Sequence, residues 1–315
     1  MSSVQESQPN AQALAPASAG VSSRAAAPPQ RSLRRRKAIE ALFFGLFRSA
    51  ALVNALALAL IVFFLLKNGI GALSWEFFSQ PPLDSMSKGG IFPCIVGTLY
   101  LSLGAMAVAL PLGVCTAVYL QEYARPGTML RLIRLCVANL AGVPSVVFGL
   151  FGLALFVTAL RFGVSILSGA LTLGALILPV VIGASEEALK SVPQTYREAS
   201  LGLGATKWQT ISRVVLPAAL PGMLTGAILS LSRAAGETAA IMFTAAATFT
   251  PLLPNSIFSE VMALPYHIYV LASSGTNIEA TRPLQYGTAL VLMALVLGMN
   301  FLAIVWRGRI QRSRA

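Results

Sequence analysis

The chain has 315 residues, 56% of them hydrophobic and only 11% charged, with a mean hydropathy of +0.74. Soluble domains carry roughly 25% charged residues, so the composition excludes a water-covered globule and makes lipid the solvent for most of the surface. The net charge of +12 does not point to nucleic acid, because lysine and arginine stand in short clusters at the ends of apolar runs, not along one face.

Residues 1–30 consist largely of Ala, Ser, Gln and Pro, and a basic run follows, Arg31 then Arg34-Arg35-Arg36-Lys37. Residues 1–38 are expected to form a disordered, basic tail. A first amphipathic or transmembrane helix is predicted over 39–70. Its apolar segment, 49–66, is too long for an ordinary signal peptide and no convincing cleavage site follows, so it reads as a retained anchor.

Five further spans are predicted near 91–120, 133–160, 163–184, 211–247 and 284–306, followed by a basic tail over 307–315. The fold class is therefore an all-α polytopic membrane protein with about six transmembrane helices. Pro111, Pro144, Pro179, Pro217 and Pro221 fall inside these spans, where neighbouring helices satisfy the freed carbonyls. Cys94, Cys115 and Cys136 are isolated in apolar stretches and read as small packing residues, with no metal and no disulfide implied. Between 248 and 283 an apolar piece, Val261 to Leu271, is too short to cross.

With the N-terminus in the cytoplasm and six alternating spans, 18 of the 23 basic residues fall on the cytoplasmic side, four outside, and Arg233 inside a span. That asymmetry predicts a multi-pass protein of the bacterial cytoplasmic membrane with both termini cytoplasmic.

The cytoplasmic loop 185–210 is the most informative segment. Ser185-Glu186-Glu187 reads as a helix start, because carboxylates favour the positive end of a helix. Leu189, Val192, Tyr196, Ala199 and Leu203 recur at helical spacing as one apolar stripe, although Pro193 must bend the helix or open a second one. Gly202 and Gly204 break it, and Thr206 with Gln209 predicts a capping box on the next helix. By pattern alone this is an amphipathic loop covering a core or a membrane face.

The order Glu198-Ala199-Ser200, three residues, Gly204, nine residues, Val214, one residue, Leu216-Pro217 resembles the EAA loop of type I ABC importer permeases. The departures are Ser200 for Ala and Val214 for Ile. The resemblance implies an ATPase-coupling role for Glu198, Ala199, Ser200, Gly204, Leu216 and Pro217, through a short helix pair docked in a cleft of the ATPase. No Gly-four residues-Gly-Lys-Ser/Thr phosphate loop occurs in the chain, so ATP hydrolysis is expected on a separate, dimeric subunit and this chain is expected to be no enzyme. No cofactor is implied, and no Ser/His/Asp set or intramembrane carboxylate pair suggests catalysis.

In the fifth predicted span Arg233 and Glu237 lie four apart, a spacing that places them on one helix face. Charge inside a membrane is expensive and marks a path or a pair. The pair reads either as a structural salt bridge or as an arginine offered to an oxyanion, with Glu237 holding it. The run Arg233-Ala-Ala-Gly-Glu-Thr-Ala is similar to the signature of phosphate importer permeases. Gly89-Gly90-Ile91, Leu110-Pro111-Leu112-Gly113, Tyr119-Leu120-Gln121-Glu122-Tyr123, Ala138 to Ser145 and Ala263 to Tyr269 look like the same family, the last favouring its PstA-type over its PstC-type subunit. The resemblance covers about 85–306 and implies a second permease of the PstC type in a heterodimer, an external phosphate-binding protein, and alternating access. Another oxyanion, molybdate or sulfate, fits the same residues. An ATP-independent secondary transporter is the alternative of a different class.

Overall fold

The computed structural model describes residues 30–83, 86, 88–246, 249–273 and 278–312. The expected tail over 1–38 lies outside the described residues up to position 29, and a helix begins at Gln30. The chain divides into two compact units, Met1–Ala59 and Leu60–Ala315. Helix α1 (Gln30–Gly69) forms the described part of the first unit and continues into the second; its apolar side chains, Leu42 and Leu52 among them, are exposed.

In the second unit, α2 (Trp75–Ser79) is capped by the Ser74 hydroxyl, which accepts from the Phe77 amide. A small antiparallel hairpin, β1 (Pro82–Leu83) with β2 (Lys88–Gly89), follows. Helix α3 (Phe92–Val118) has Pro93 in its first turn, where the missing amide has no helical partner to lose. It ends in a π-helical turn, Tyr119–Tyr123.

The predicted span 133–160 is broken. Helix α4 (Thr128–Leu140) and α5 (Ser145–Gly152), which runs on as a π-helical segment to Ala159, are bent by 99° from one another. Pro144 sits at the break and not inside a helix, because its ring pushes Val143 out of the helical region. Among the described residues five long helices are apolar enough to cross a membrane, and counting this bent pair as one span brings the number to six.

Helix α6 (Ile166–Lys190) starts at a Ser165 cap and continues past the expected end at 184. Next come α7 (Gln194–Gly202), α8 (Lys207–Thr210), a π-helical turn at Ile211–Val215, and α9 (Leu216–Ala235). After α10 (Ala239–Met242), α11 (Leu264–Ser273) packs against α3 and α12 (Ile278–Arg312). The expected tail 307–315 thus begins as the end of α12, with 313–315 outside the described residues.

Helices α3, α6 and α9 pack on one another as the core, around Leu101, Leu173, Ile177 and Val181. Glycine makes the α6–α9 approach possible: a Cβ on Gly222 would stand 2.8 Å from that of Ala188, and one on Gly226 would collide with Ala184. Buried hydroxyls bond within their own helices, Thr98 to the Cys94 carbonyl at 2.7 Å and Thr172 to that of Ser168 at 2.7 Å, so they cost little in an apolar interior. The cysteines are not all packing residues. Cys94 is buried, whereas Cys115 and Cys136 are exposed on α3 and α4.

Candidate functional site

Two places gather the predicted site residues: the helix pair α7–α8 and the end of α9.

The first is built on the end of α6. Ser185, Glu186 and Glu187 do not start a helix; they lie inside α6, and Ser185 is wholly buried. Glu186 needs no helix N-terminus, because Arg134 of α4 lies 3.1 Å from its carboxylate. Pro193 separates α6 from α7 and splits the predicted apolar stripe. Leu189 and Val192 are core residues beside Val215 and Met223, while Tyr196, Ala199 and Leu203 are exposed.

Helix α7 ends where the Gly204 amide bonds to the Leu201 carbonyl at 2.9 Å and the Ala205 amide to that of Ser200 at 3.2 Å. This is a Schellman closure, and Gly204 holds the left-handed φ of +83° that it requires. The expected capping box then opens α8, with Thr206 accepting from the Gln209 amide and Gln209 from the Thr206 amide. Ser200, the departure from the EAA pattern, hydrogen-bonds to Thr210 at 2.9 Å and so ties α7 to α8. Leu216 packs against the buried cluster of Ala117, Leu189, Val192 and Val215, with Pro217 in the first turn of α9. Glu198 and Ala199 are exposed, as are Tyr196, Leu201, Leu203 and Trp208 on the same helix pair and its turn, Leu203 retaining 90% of its accessible surface.

Arg197, which the sequence reading passed over, fastens this pair to the body. Its Nη2 donates to Glu122 Oε1 at 2.7 Å and to the Leu189 carbonyl at 2.9 Å; its Nη1 donates to the Val192 carbonyl at 2.8 Å, and its Nε to Glu122 at 3.2 Å. The two side chains keep only 12% and 9% of their surface. Arg134 reaches the same π-helical turn more loosely, at 3.4 Å from the Leu120 carbonyl and from Gln121, and Lys207 sits over the Tyr123 ring. Glu122, Gln121, Arg197, Lys190 and Lys207 line an open cleft of about 630 Å³. Opposite charges at the ends of apolar runs were visible in the sequence, but pairing across 75 residues was not.

The second place differs from expectation. Helix α9 ends at Ala235 with Gly236 as its cap, so Arg233 and Glu237 do not share a helix face. Among the described residues no ion pair joins them. Arg233 is exposed in the last turn of α9, where a cation suits the negative end of the helix. Glu237 is half-buried and accepts from the Ala239 amide at 3.2 Å, closing the start of α10. Beside Arg233, Ser232 donates to Asn300 of α12 at 2.7 Å.

Depth follows from the neighbours. Ala234, Ala235 and Glu237 line a crevice with Leu101, Ser102 and Leu173. Leu101, Ser102 and Leu173 stand about 10–15 Å into α3 and α6 at 1.5 Å per residue, against a hydrocarbon core of about 30 Å. An exposed guanidinium at that depth cannot face lipid without heavy cost.

Membrane-crossing helices, a span that breaks beside an exposed arginine, and a clasped helix pair at one end are the marks of a transport permease. Residues 109–315 match the family described as binding-protein-dependent transport system inner membrane component, and the chain belongs to that family. The probable ABC transporter permease protein YqgI of Bacillus subtilis is 35% identical over 284 residues, covering 87% of this chain and 96% of that protein. The phosphate transport system permease protein PstA 1 of Mycobacterium tuberculosis is 39% identical, covering 76% and 78%, and PstA of Pasteurella multocida is 32% identical, covering 84% and 90%. Among solved structures, an inward-facing MetNI methionine ABC transporter shares the fold at a TM-score of 0.54 and 20% identity, over 70% of this chain and 94% of that one. A bacterial alginate ABC transporter bound to its periplasmic protein gives 0.55 at 15%, over 80% and 92%.

Proposed function

We propose that this chain is a permease subunit of an ATP-driven importer that moves inorganic phosphate across the bacterial cytoplasmic membrane by alternating access. The relatives named as phosphate transport permeases support the substrate. The observation that carries the mechanism is the exposed α7–α8 face. Tyr196, Glu198, Ala199, Leu203 and Trp208 are all exposed on a helix pair that Arg197 fastens to the core, which suits docking of a separate ATPase subunit. Glu198, Ala199 and Gly204 form that contact; Ser200, Leu216 and Pro217 support it.

Arg233 lines the phosphate path. Ala218, Gly222, Thr225, Leu229 and Arg233 are exposed at helical spacing on α9 and its cap Gly236 continues the row, a face of mostly small residues whose own cation is Arg233, with Arg307 of α12 bonded to Thr225. This face suits a second permease of the PstC type, with the path between the two chains and an external phosphate-binding protein delivering the ion. Glu237 positions the chain between α9 and α10. Both termini are cytoplasmic, as the basic-residue asymmetry supports.

Phosphate uptake by assembled Arg233→Gln tests the assignment. Uptake is expected to fall about tenfold or more, because one charge-assisted contact is worth roughly 1.5–3 kcal/mol. Unchanged uptake in a normally assembled complex would remove Arg233 from the path.

A further inference from the structure

We infer that Arg197 is a positioning residue that makes α7, α3 and α6 move as one body, an inference that rests on the docking reading of α7 given above. The nine residues of α7 include none that is buried, so no apolar core holds this helix. Three residues, Ser191–Pro193, join it to α6, and Pro193 interrupts the helical hydrogen bonding there. A push on α7 from a docked partner would be absorbed at that joint unless something bridges it.

The Arg197 guanidinium is that bridge. All three of its nitrogens are engaged, on the Glu122 carboxylate at the end of α3 and on the Leu189 and Val192 carbonyls at and just beyond the end of α6. The planar fork meets these acceptors at once, a geometry that lysine cannot reproduce. The other ties are weaker. Arg134 keeps 37% of its surface and reaches the α3 turn at 3.4 Å; Lys207 contacts Tyr123 on an exposed face; Ser200 links α7 only to α8. Among the described residues of α7, Arg197 is the one whose side chain hydrogen-bonds to both spanning helices, while its neighbours Tyr196, Glu198 and Ala199 are exposed.

The test uses the complete complex in proteoliposomes, with ATP hydrolysis and phosphate uptake measured together. Arg197→Lys and Arg197→Gln are expected to retain the ATPase subunit and its hydrolysis while phosphate moved per ATP falls about tenfold, a typical coupling loss. Glu122→Gln should move in the same direction. Arg197→Cys with Glu122→Cys, in a background carrying Cys115→Ser and Cys136→Ser, adds a readout that mere stability would not move. Bridging the two thiols with a short bifunctional maleimide should restore phosphate moved per ATP. Unchanged stoichiometry in the single variants overturns the inference, as does full bridging without recovery. Loss of the ATPase subunit from the Arg197 variants alone overturns it too, by showing that the residue shapes the docking surface. An unaltered chain that never retains an ATPase subunit instead defeats the docking reading itself.

Discussion

A Cβ placed on Gly204 would meet nothing within 4 Å, yet the backbone there has a φ of +83°. Gly204→Ala therefore probes backbone strain without a steric clash. The left-handed conformation costs a non-glycine residue about 1 kcal/mol, which corresponds to roughly fivefold weaker docking. Titration of the purified permease complex with its ATPase subunit measures this, and unaltered affinity would contradict the role given to the Schellman turn. Ser200→Ala is a milder change at the same joint. It removes a 2.9 Å bond to the buried Thr210, so thermal unfolding should show a loss of about 1 kcal/mol with docking retained. A complex that no longer docks would make Ser200 a contact residue.

Among the elements, the α6–α9 seam carries the tightest approach. Gly226→Leu would drive a side chain into Ala184, and overpacking of this kind costs about 1–3 kcal/mol. Gly183 lies on the same helix α6 with open space around it, so Gly183→Ala should instead stabilise by about 0.5–1 kcal/mol. Detergent-melting temperatures that shift in opposite directions would support the seam; equal shifts would refute it. The helices themselves were legible because each apolar run is long enough to cross. Their ends were not. Helix α6 continues through Glu186 because its charge is met by Arg134, 52 residues earlier. Helix α9 stops at Ala235 although the apolar run continues, because α10 turns away to pack on α5. The same break separates Arg233 from Glu237, so the spacing that marked them as a pair identified two residues of interest but not their relation. Pro144 likewise divides a run that hydropathy alone reads as continuous. The EAA-like loop was legible at its exposed positions, whereas Arg197 and Glu122 owe their meeting to tertiary folding.

For the whole molecule, the faces left exposed are as informative as those buried. In the 18-residue apolar stretch of each span, only 28% is buried within this chain for the span of α9, against 61% for α6. Helix α6 is thus the internal post, and α9 presents Arg233 outward, which supports the proposed pairing with a second permease. The α7–α8 pair stands at the end of the bundle where the basic residues concentrate, and in the proposed reading α9 and the ends of α3 and α6 would join the docked ATPase to the substrate path. Site-directed crosslinking from Ala199→Cys in native membranes tests this account most directly. It predicts capture of a separate subunit bearing a nucleotide-binding phosphate loop, with position 199 shielded from membrane-impermeant thiol reagents added outside. Labelling of position 199 from outside, or failure to capture any such subunit from an intact complex, would contradict it.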